Sequence, residues 1–259
     1  MGYTLLAGLV LVGLFFGMLL LLEIGRRLAL RRLKKEPAGA VLGVGPVVGA
    51  IFSLLGLLIA FTFSGASARF DARRQLIVQE RNAMDNAYHL LDVLPDRVQA
   101  TALKDDFRKY LDTELEATRR LPDVRAAEEA LVRCTVLQED IRKQILVAYQ
   151  DGKGQAAASI LLPAVTQWIQ FSTARTFAAE THTPVAIFVM LGAFALTSAL
   201  VAGYGMAEGK SRSWLHILVF PAVITATLYV IADLEFPRVG LIRLDAADQS
   251  LTALRERMK

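Results

Sequence analysis

Three residues on one predicted helix form a row that could line a path for ions. Ser53, Leu57 and Phe61 recur at i, i+4 and i+8, so they share one helix face. In a ring of subunits, apolar side chains on such a face can form a constriction that gates by dewetting. The alternative is that these are ordinary lipid-facing or core positions, which every spanning helix supplies.

Three cations follow this row at Arg69, Arg73 and Arg74. A ring of arginine or lysine side chains selects anions electrostatically. If the row lines a pore, these arginines would attract anions at its mouth.

A second set of charged residues lies near the ends of apolar stretches. Glu23, Asp233 and Glu235 are placed where they can reach water or pair with arginines such as Arg26 or Arg238. Ionisable groups at membrane depth are candidates for function. Because these lie near the ends of the spans, we interpret them as structural ion pairs.

Other site chemistry is not supported by the residue pattern. The histidines His89, His182 and His216 have no second His, and no Cys, at metal-ligand spacing. Gly43-Val-Gly45 and Gly152-Lys-Gly154 lack the remainder of a phosphate-binding loop. We therefore predict that the chain is not an enzyme, needs no cofactor or metal, and binds no nucleic acid.

Four apolar stretches supply the elements that would position the charged and pore-lining residues. Of the 259 residues, 54% are hydrophobic, and they are blocked rather than spread. Spans of roughly 20 apolar residues cross a membrane. Among the stretches without Asp, Glu, Lys or Arg, the four assigned as spans are Tyr3–Leu22, Ala38–Ala68, Thr181–Ala207 and Ser213–Ala232. Basic residues follow the first stretch instead of preceding it, so it is interpreted as a retained helix and not a signal peptide.

The second span is predicted to continue as a helix beyond the membrane. No Gly or Pro occurs between Arg69 and Leu94, and apolar residues recur there at helical spacing. Pro95, Pro122 and the Asp151–Gly154 stretch then mark helix boundaries. No segment shows the alternation of a strand, so a helical bundle is expected.

These elements predict an all-α chain with four transmembrane helices and an inserted helical-bundle domain. The expected parts are transmembrane helices 1 and 2 in residues 1–68, a soluble helical domain in 69–180, transmembrane helices 3 and 4 in 181–236, and a tail in 237–259. Pro237 and Gly240 predict a turn that folds the tail back.

The orientation follows from the loop between the first two spans. It carries six cations, namely Arg26, Arg27, Arg31, Arg32, Lys34 and Lys35. Short loops rich in Lys and Arg stay in the cytoplasm. The soluble domain is then expected on the periplasmic or extracellular side of a bacterial inner (plasma) membrane, although Arg69, Arg73 and Arg74 argue for the opposite side.

Glycines punctuate the second span at positions where helices could approach closely. The pairs Gly39/Gly43 and Gly45/Gly49 have the spacing of small residues that permits close contact between helices, and Gly56 follows them. The glycines could serve packing within one subunit, or they could place this span at the centre of an oligomer. The sequence alone favours neither.

Several stretches together resemble the bacterial bestrophin-like domain family, over nearly the whole chain. They are Glu23–Arg27, Gly56–Gly65, Arg69–Arg74, Glu80–Ala83, Leu91–Pro95 and Pro237–Arg243. The family is distantly similar to bestrophins, which are pentameric anion channels with a hydrophobic neck on the second span. Leu57, Phe61 and Arg69-Phe70 look similar to that neck and to the arginine and aromatic residues after it. The resemblance implies a cytosolic helical domain, opposite to the orientation given by the charges.

From the residues and the resemblance we predict a homo-oligomeric ion channel that passes small anions, and the resemblance implies a pentamer. Its partners would be the lipid bilayer, further copies of itself and small inorganic ions. The alternative is a non-conducting membrane sensor or scaffold whose soluble helices bind a partner. A transporter is less favoured, because the sequence has no inverted repeat and no pair of broken spans in corresponding positions.

Overall fold

The computed structural model of this chain describes residues 2–35, 44–120, 124–150, 154–208, 214–237 and 240–258. Its helices are α1 (Gly2–Lys35), α2 (Val44–Leu90), α3 (Arg97–Arg120), α4 (Val124–Gln150), α5 (Gln155–Glu180), α6 (Val185–Gly205), α7 (Trp214–Glu235) and α8 (Asp245–Arg257). Two short 3₁₀ turns, Leu91–Val93 and Met206–Glu208, complete the regular structure of the described residues. The all-α prediction is confirmed. Pro122 and Gly152, two of the predicted boundaries, lie outside the described residues.

Four segments of the described chain are long and apolar enough to cross a membrane, as predicted. They are Gly8–Lys35, Gly45–Val93, Gln155–Gly205 and Ile217–Glu235. The third of these begins earlier than the predicted span because α5 is itself apolar and almost adjoins α6. Only a short extended connection at residues 181–184 separates the two helices.

The second span does continue without a break, so α2 is a single helix of 47 residues. At 1.5 Å per residue its axis is about 70 Å long. Nothing interrupts it because the segment after Arg69 has no Pro or Gly, and because one face there is buried at Ile77, Met84 and Tyr88. It ends before Pro95, and Asp96 then caps α3 by accepting the backbone N–H of Val98 at 2.8 Å.

The chain forms two compact units, and the first consists of Met1–Ala68 and His182–Phe236. We call it the membrane unit. Its core lies between α1 and α6 and includes Met18, Leu22, Ala195 and Ala199. The backbones of these helices touch at two glycines. A methyl group on Gly25 would lie 2.0 Å from the carbonyl oxygen of Leu200, and one on Gly203 would lie 2.0 Å from that of Leu22.

The glycines of α2 do not pack in this way. A Cβ added at Gly45, Gly49 or Gly56 would meet nothing within 4 Å among the described residues. Gly39 and Gly43 lie outside the described parts of the chain. Packing inside one subunit therefore does not account for the three described glycines, and their role in an oligomer stays a prediction.

The second unit, Arg69–Thr181 with Pro237–Lys259, is a helical bundle that we call the helical domain. Aromatic rings form its centre: Trp168 lies 4.8 Å from Phe107 and 4.7 Å from Tyr110, centroid to centroid. The segment predicted as a tail contributes α8, whose Leu251 and Leu254 are buried in the same core.

Two polar contacts hold α8 in the helical domain. The guanidinium of Arg255 pairs with both carboxylate oxygens of Asp112 on α3, at 2.8 and 2.9 Å. The carbonyl oxygen of Met258 accepts hydrogen bonds from the Tyr88 hydroxyl and from Arg108. The helix therefore makes specific contacts with both α2 and α3.

Candidate functional site

The predicted row on α2 is uncovered along its whole length in the described subunit. Leu57 is 51% exposed and Phe61 is 68% exposed, and Ser53 is exposed as well. On another side of the same helix, the ring of Phe52 packs against that of Phe220 on α7, with centroids 5.2 Å apart. The row is thus free to face lipid, water or another subunit, and its pore-lining role stays a prediction.

Arg73 has a definite structural partner within the helical domain. The side chain is only 5% exposed. Its Nε donates to the carbonyl oxygen of Ala178 at 2.9 Å, and its Nη2 donates to that of Thr181 at 2.7 Å. The last carbonyls of a helix have no partner inside the helix and favour a nearby cation. Arg73 therefore caps the C-terminal end of α5.

The two neighbouring arginines are placed differently. Arg74 is exposed, whereas Arg69 is half-buried. Arg74 lines an open recess on α2 together with Asp71, Gln75, Val78 and Gln79. Asp71 is an exposed acid three residues before Arg74, and its charge is opposite to that of Arg74. Attraction of ions by the arginines stays a prediction, and Arg74 is the arginine most open to solvent.

The residues expected in boundary ion pairs are found in two places in the membrane unit. Glu23 accepts a hydrogen bond from Arg27 Nε at 2.8 Å, one helical turn away; the sequence had suggested Arg26, which is half-buried. Asp233 is buried near the end of α7. Arg238 lies outside the described residues.

Glu235, which is fully buried, forms the more elaborate of these sites. Its carboxylate accepts the Thr183 hydroxyl at 2.6 Å and the Thr183 backbone N–H at 3.3 Å. His182 Nδ1 lies 3.9 Å from the same carboxylate, and its ring stacks on Phe236 with centroids 4.6 Å apart. An acid just before the first turn of α6 complements the dipole of that helix. Thr183 and His182 were missed as partners because they lie over 50 residues from Glu235 in sequence.

A buried polar cluster in the helical domain was not predicted from the sequence. Glu80 on α2 and Glu114 on α3 are 0% and 1% exposed, and both contact one guanidinium, that of Arg175 on α5. Glu80 Oε2 lies 2.5 Å from Arg175 Nε, and Glu114 Oε1 lies 2.5 Å from Arg175 Nη2. The Tyr110 hydroxyl donates to the other oxygen of Glu80 at 3.0 Å.

Uncharged groups complete this cluster. The Tyr110 hydroxyl lies 3.0 Å from Ser172 Oγ and accepts a hydrogen bond from Gln138 Nε2 at 3.1 Å. Burial raises the pKa of Tyr110 well above its usual range, and the nearby Glu114 and Glu80 raise it further. Burial also raises the pKa of the Cys134 thiol to about 12. Both groups are therefore uncharged at physiological pH.

Glu114 is a buried acid of this cluster whose pKa is displaced toward neutral pH. Burial raises the pKa of its carboxyl to about 8; Arg175 opposes the increase, while Glu80 and Asp248 add to it. In the described residues, no group of three or more His, Cys, Asp and Glu side chains could hold a metal ion.

With this geometry established, the relationship to known proteins is clear. A family model described as the Bestrophin-like domain matches residues 9–248. The chain belongs to the bestrophin-like domain family, as its sequence motifs had suggested. No curated protein matches the chain.

Solved structures agree with the fold. The crystal structure of a bacterial bestrophin homologue from Klebsiella pneumoniae matches with a TM-score of 0.70 and 13% identity, over 95% of this chain and 97% of that one. A variant of the same Klebsiella protein gives 0.72 and 14%, over 96% and 97%. A variant described only as a membrane protein gives 0.70 and 13%, over 96% and 98%. At these identities the likeness establishes the fold.

Proposed function

We propose that this chain is one subunit of a homo-oligomeric pore of bestrophin-like type for small inorganic ions, with Ser53, Leu57 and Phe61 lining its constriction. The observation that carries the proposal is the uncovered row on α2, in a chain whose family and fold are bestrophin-like. Apolar rings of this kind close a pore to water and ions until they widen. Bestrophins are channels, so membership of this family also argues against an enzyme.

The glycines of α2 support an assembly around this helix. The absence of any neighbour within 4 Å of a Cβ at Gly49 or Gly56 leaves room for another backbone to come close. Small residues permit such contact between membrane helices. A second copy of the chain is the partner proposed for this surface, and five copies is the number that the family resemblance implies.

Small anions are the proposed ions, and the selectivity depends on exposed charge. Arg73 is engaged at the end of α5, so Arg74 is the arginine left to meet ions in solution. Asp71 carries the opposite charge close by. Anion selectivity therefore requires that Arg74 lie nearer to the ion path than Asp71.

The proposed location is the bacterial inner membrane, with the helical domain on the periplasmic or extracellular side. The positive loop after α1 supports this orientation. Replacing exposed Gln79 with cysteine would test it, because the natural Cys134 is buried and should react little. Labelling of intact cells by a membrane-impermeant maleimide supports the orientation, and labelling only after lysis contradicts it.

Ion flux from liposomes that hold the purified chain tests the pore. Flux is measured under separate anion and cation gradients for the natural chain, Phe61→Ala and Phe63→Ala. Phe63 is exposed on the same helix, but a step of two residues rotates its direction by about 200° around the helix axis relative to Phe61. We expect Phe61→Ala to raise flux by widening the constriction, and Phe63→Ala to leave it unchanged. Absence of flux from folded, oligomeric protein would refute the pore.

The alternative function is a non-conducting scaffold whose helical domain binds a partner. Val132 and Val136 favour it, because they lie one turn apart on α4 and are 65% and 55% exposed. Two adjacent exposed valines suit contact with another protein. This function becomes the leading one if the flux assay is negative.

A further inference from the structure

The buried acid pair of the helical domain contains more negative charge than its surroundings can neutralise. Glu80 and Glu114 share a single cation, Arg175, which lies 2.5 Å from one oxygen of each. If both carboxylates were ionised, the group would carry a net charge of −1. An uncompensated charge in a protein interior is strongly unfavourable. The site is therefore expected to keep one proton.

The groups that surround the pair do not supply a second cation. Tyr110 on α3 and Cys134 on α4 are uncharged, for the reasons given above. Ser172 on α5 and Gln138 on α4 offer only neutral hydrogen bonds. From α8, Asp248 adds a further negative charge. In the described structure Arg175 is thus the one cation in contact with the two glutamates.

The contacts of the four carboxylate oxygens favour Glu114 over Glu80 as the residue that keeps the proton. Both oxygens of Glu80 are engaged, one by the Tyr110 hydroxyl and the other by Arg175. Glu114 uses only Oε1, which contacts Arg175. Its Oε2 is buried, has no partner of regular hydrogen-bond geometry among the described residues and makes no ion pair there, although the nearby Tyr110 hydroxyl lowers the pKa of this carboxyl. A bare carboxylate oxygen is costly to bury, whereas a protonated one is not charged.

We propose that Glu114 is a proton-binding site, and that loss of its proton loosens the packing of α2, α3 and α5 in the helical domain. When the proton leaves, Glu80 and Glu114 repel each other across one guanidinium. The affected helices are those that carry the three side chains. The pKa of about 8 places the release just above neutral pH. The proposal concerns the helical domain and does not depend on ion conduction.

The effect on stability has a definite sign. The carboxyl of Glu114 has an ordinary pKa of 4.5 when exposed in the unfolded chain and about 8 when folded. Between these values the folded state holds one proton more than the unfolded state. The contribution of this group to folding stability is therefore fully present below pH 4.5, and it is lost progressively as the pH rises toward about 8. Because the two states differ by one bound proton in this range, the folding equilibrium constant falls about tenfold for each pH unit.

The test compares thermal unfolding of the purified full-length chain in detergent, across this pH range, for the natural chain, Glu114→Gln and Glu116→Gln. The glutamine has the size of the protonated acid but never ionises. Glu116 lies on the same helix but outside the buried cluster, with its side chain 41% exposed, so its variant is the matched control. We expect stability to fall with pH in the natural chain and in Glu116→Gln, and the pH dependence to flatten in Glu114→Gln. Parallel curves for all three proteins would overturn the proposal.

Infrared spectroscopy gives a second readout that does not require unfolding. The C=O stretch of a protonated carboxylic acid should be present in the natural chain at neutral pH and absent in Glu114→Gln. Glu80→Gln provides a check if Glu114→Gln folds poorly: it removes the competing charge, so Glu114 should ionise against Arg175 and the band should again disappear. A band that persists in Glu80→Gln would overturn the assignment of the shared proton.

Discussion

The contact between α1 and α6 makes a sharp prediction at Gly203. Alanine there would place its methyl group 2.0 Å from the carbonyl oxygen of Leu22. Carbon–oxygen contacts are normally about 3.3 Å or longer, so the two helices must separate by more than about 1 Å. Both atoms in the clash belong to backbone or to a Cβ, and neither can rotate away. We therefore expect substantial destabilisation of the membrane unit.

The magnitude follows from two opposing effects. Overpacking a close contact costs about 1–3 kcal/mol, and the rigid geometry at Gly203 places it near the upper end. Alanine is better than glycine inside a helix by up to about 1 kcal/mol. The net loss for Gly203→Ala is about 2 kcal/mol, which corresponds to a melting temperature lower by several degrees.

Thermal unfolding in detergent, followed by circular dichroism, measures this loss. Gly49→Ala is the matched comparison because its methyl group meets nothing within 4 Å in the described chain. It should not lower the stability of the subunit. If α2 lies at a subunit interface, Gly49→Ala should instead reduce the oligomeric fraction on size-exclusion chromatography. Equal melting of Gly203→Ala and the natural chain would refute the proposed helix contact.

Two further predictions concern the cations after the predicted constriction. Arg74→Glu should shift the reversal potential of reconstituted channels toward cation selectivity, and Asp71→Asn should shift it toward anion selectivity. Both shifts are expected because the two side chains are exposed beside the same recess. If neither variant shifts the reversal potential, the ion path lies elsewhere. Arg73→Met should lower the stability of the helical domain by about 2 kcal/mol, since two carbonyls at the end of α5 lose charged donors. Chemical denaturation measures this loss, and an unchanged midpoint would show that Arg73 is not needed as a cap.

The helices were predictable because their signals are local. Uninterrupted apolar runs identified the spans, and the absence of Gly and Pro after Arg69 predicted the continuation of α2. The row from Ser53 to Phe61 could be assigned to one face by helical period alone. The exposure of this row within the subunit could not be predicted, because the helical period shows which residues share a face but not which neighbouring residues cover that face.

The polar sites were missed because each is assembled from distant parts of the chain. Glu80, Glu114 and Arg175 come from three helices, and none of them has an unusual spacing in sequence. Repeated glycines drew attention to the second span, whereas the close backbone contacts lie at Gly25 and Gly203. Ala195 and Ala199 precede Gly203 at four-residue spacing, so the local signal for this contact lay in small residues other than glycine.

The discontinuity of the helical domain has a consequence for biosynthesis. In this domain α8 packs with helices that precede α6 and α7 in the chain. The two helices α6 and α7, which belong to the membrane unit, therefore separate α8 in sequence from the rest of its domain. The ribosome therefore delivers α8 only after both intervening membrane helices have been made. Until α8 has been made, the segment from Arg69 to Thr181 leaves exposed the apolar surface that Leu251 and Leu254 later cover. Completion of the domain is thereby tied to insertion of the last two spans, and a chain that fails to insert them would expose this apolar surface to proteases and chaperones.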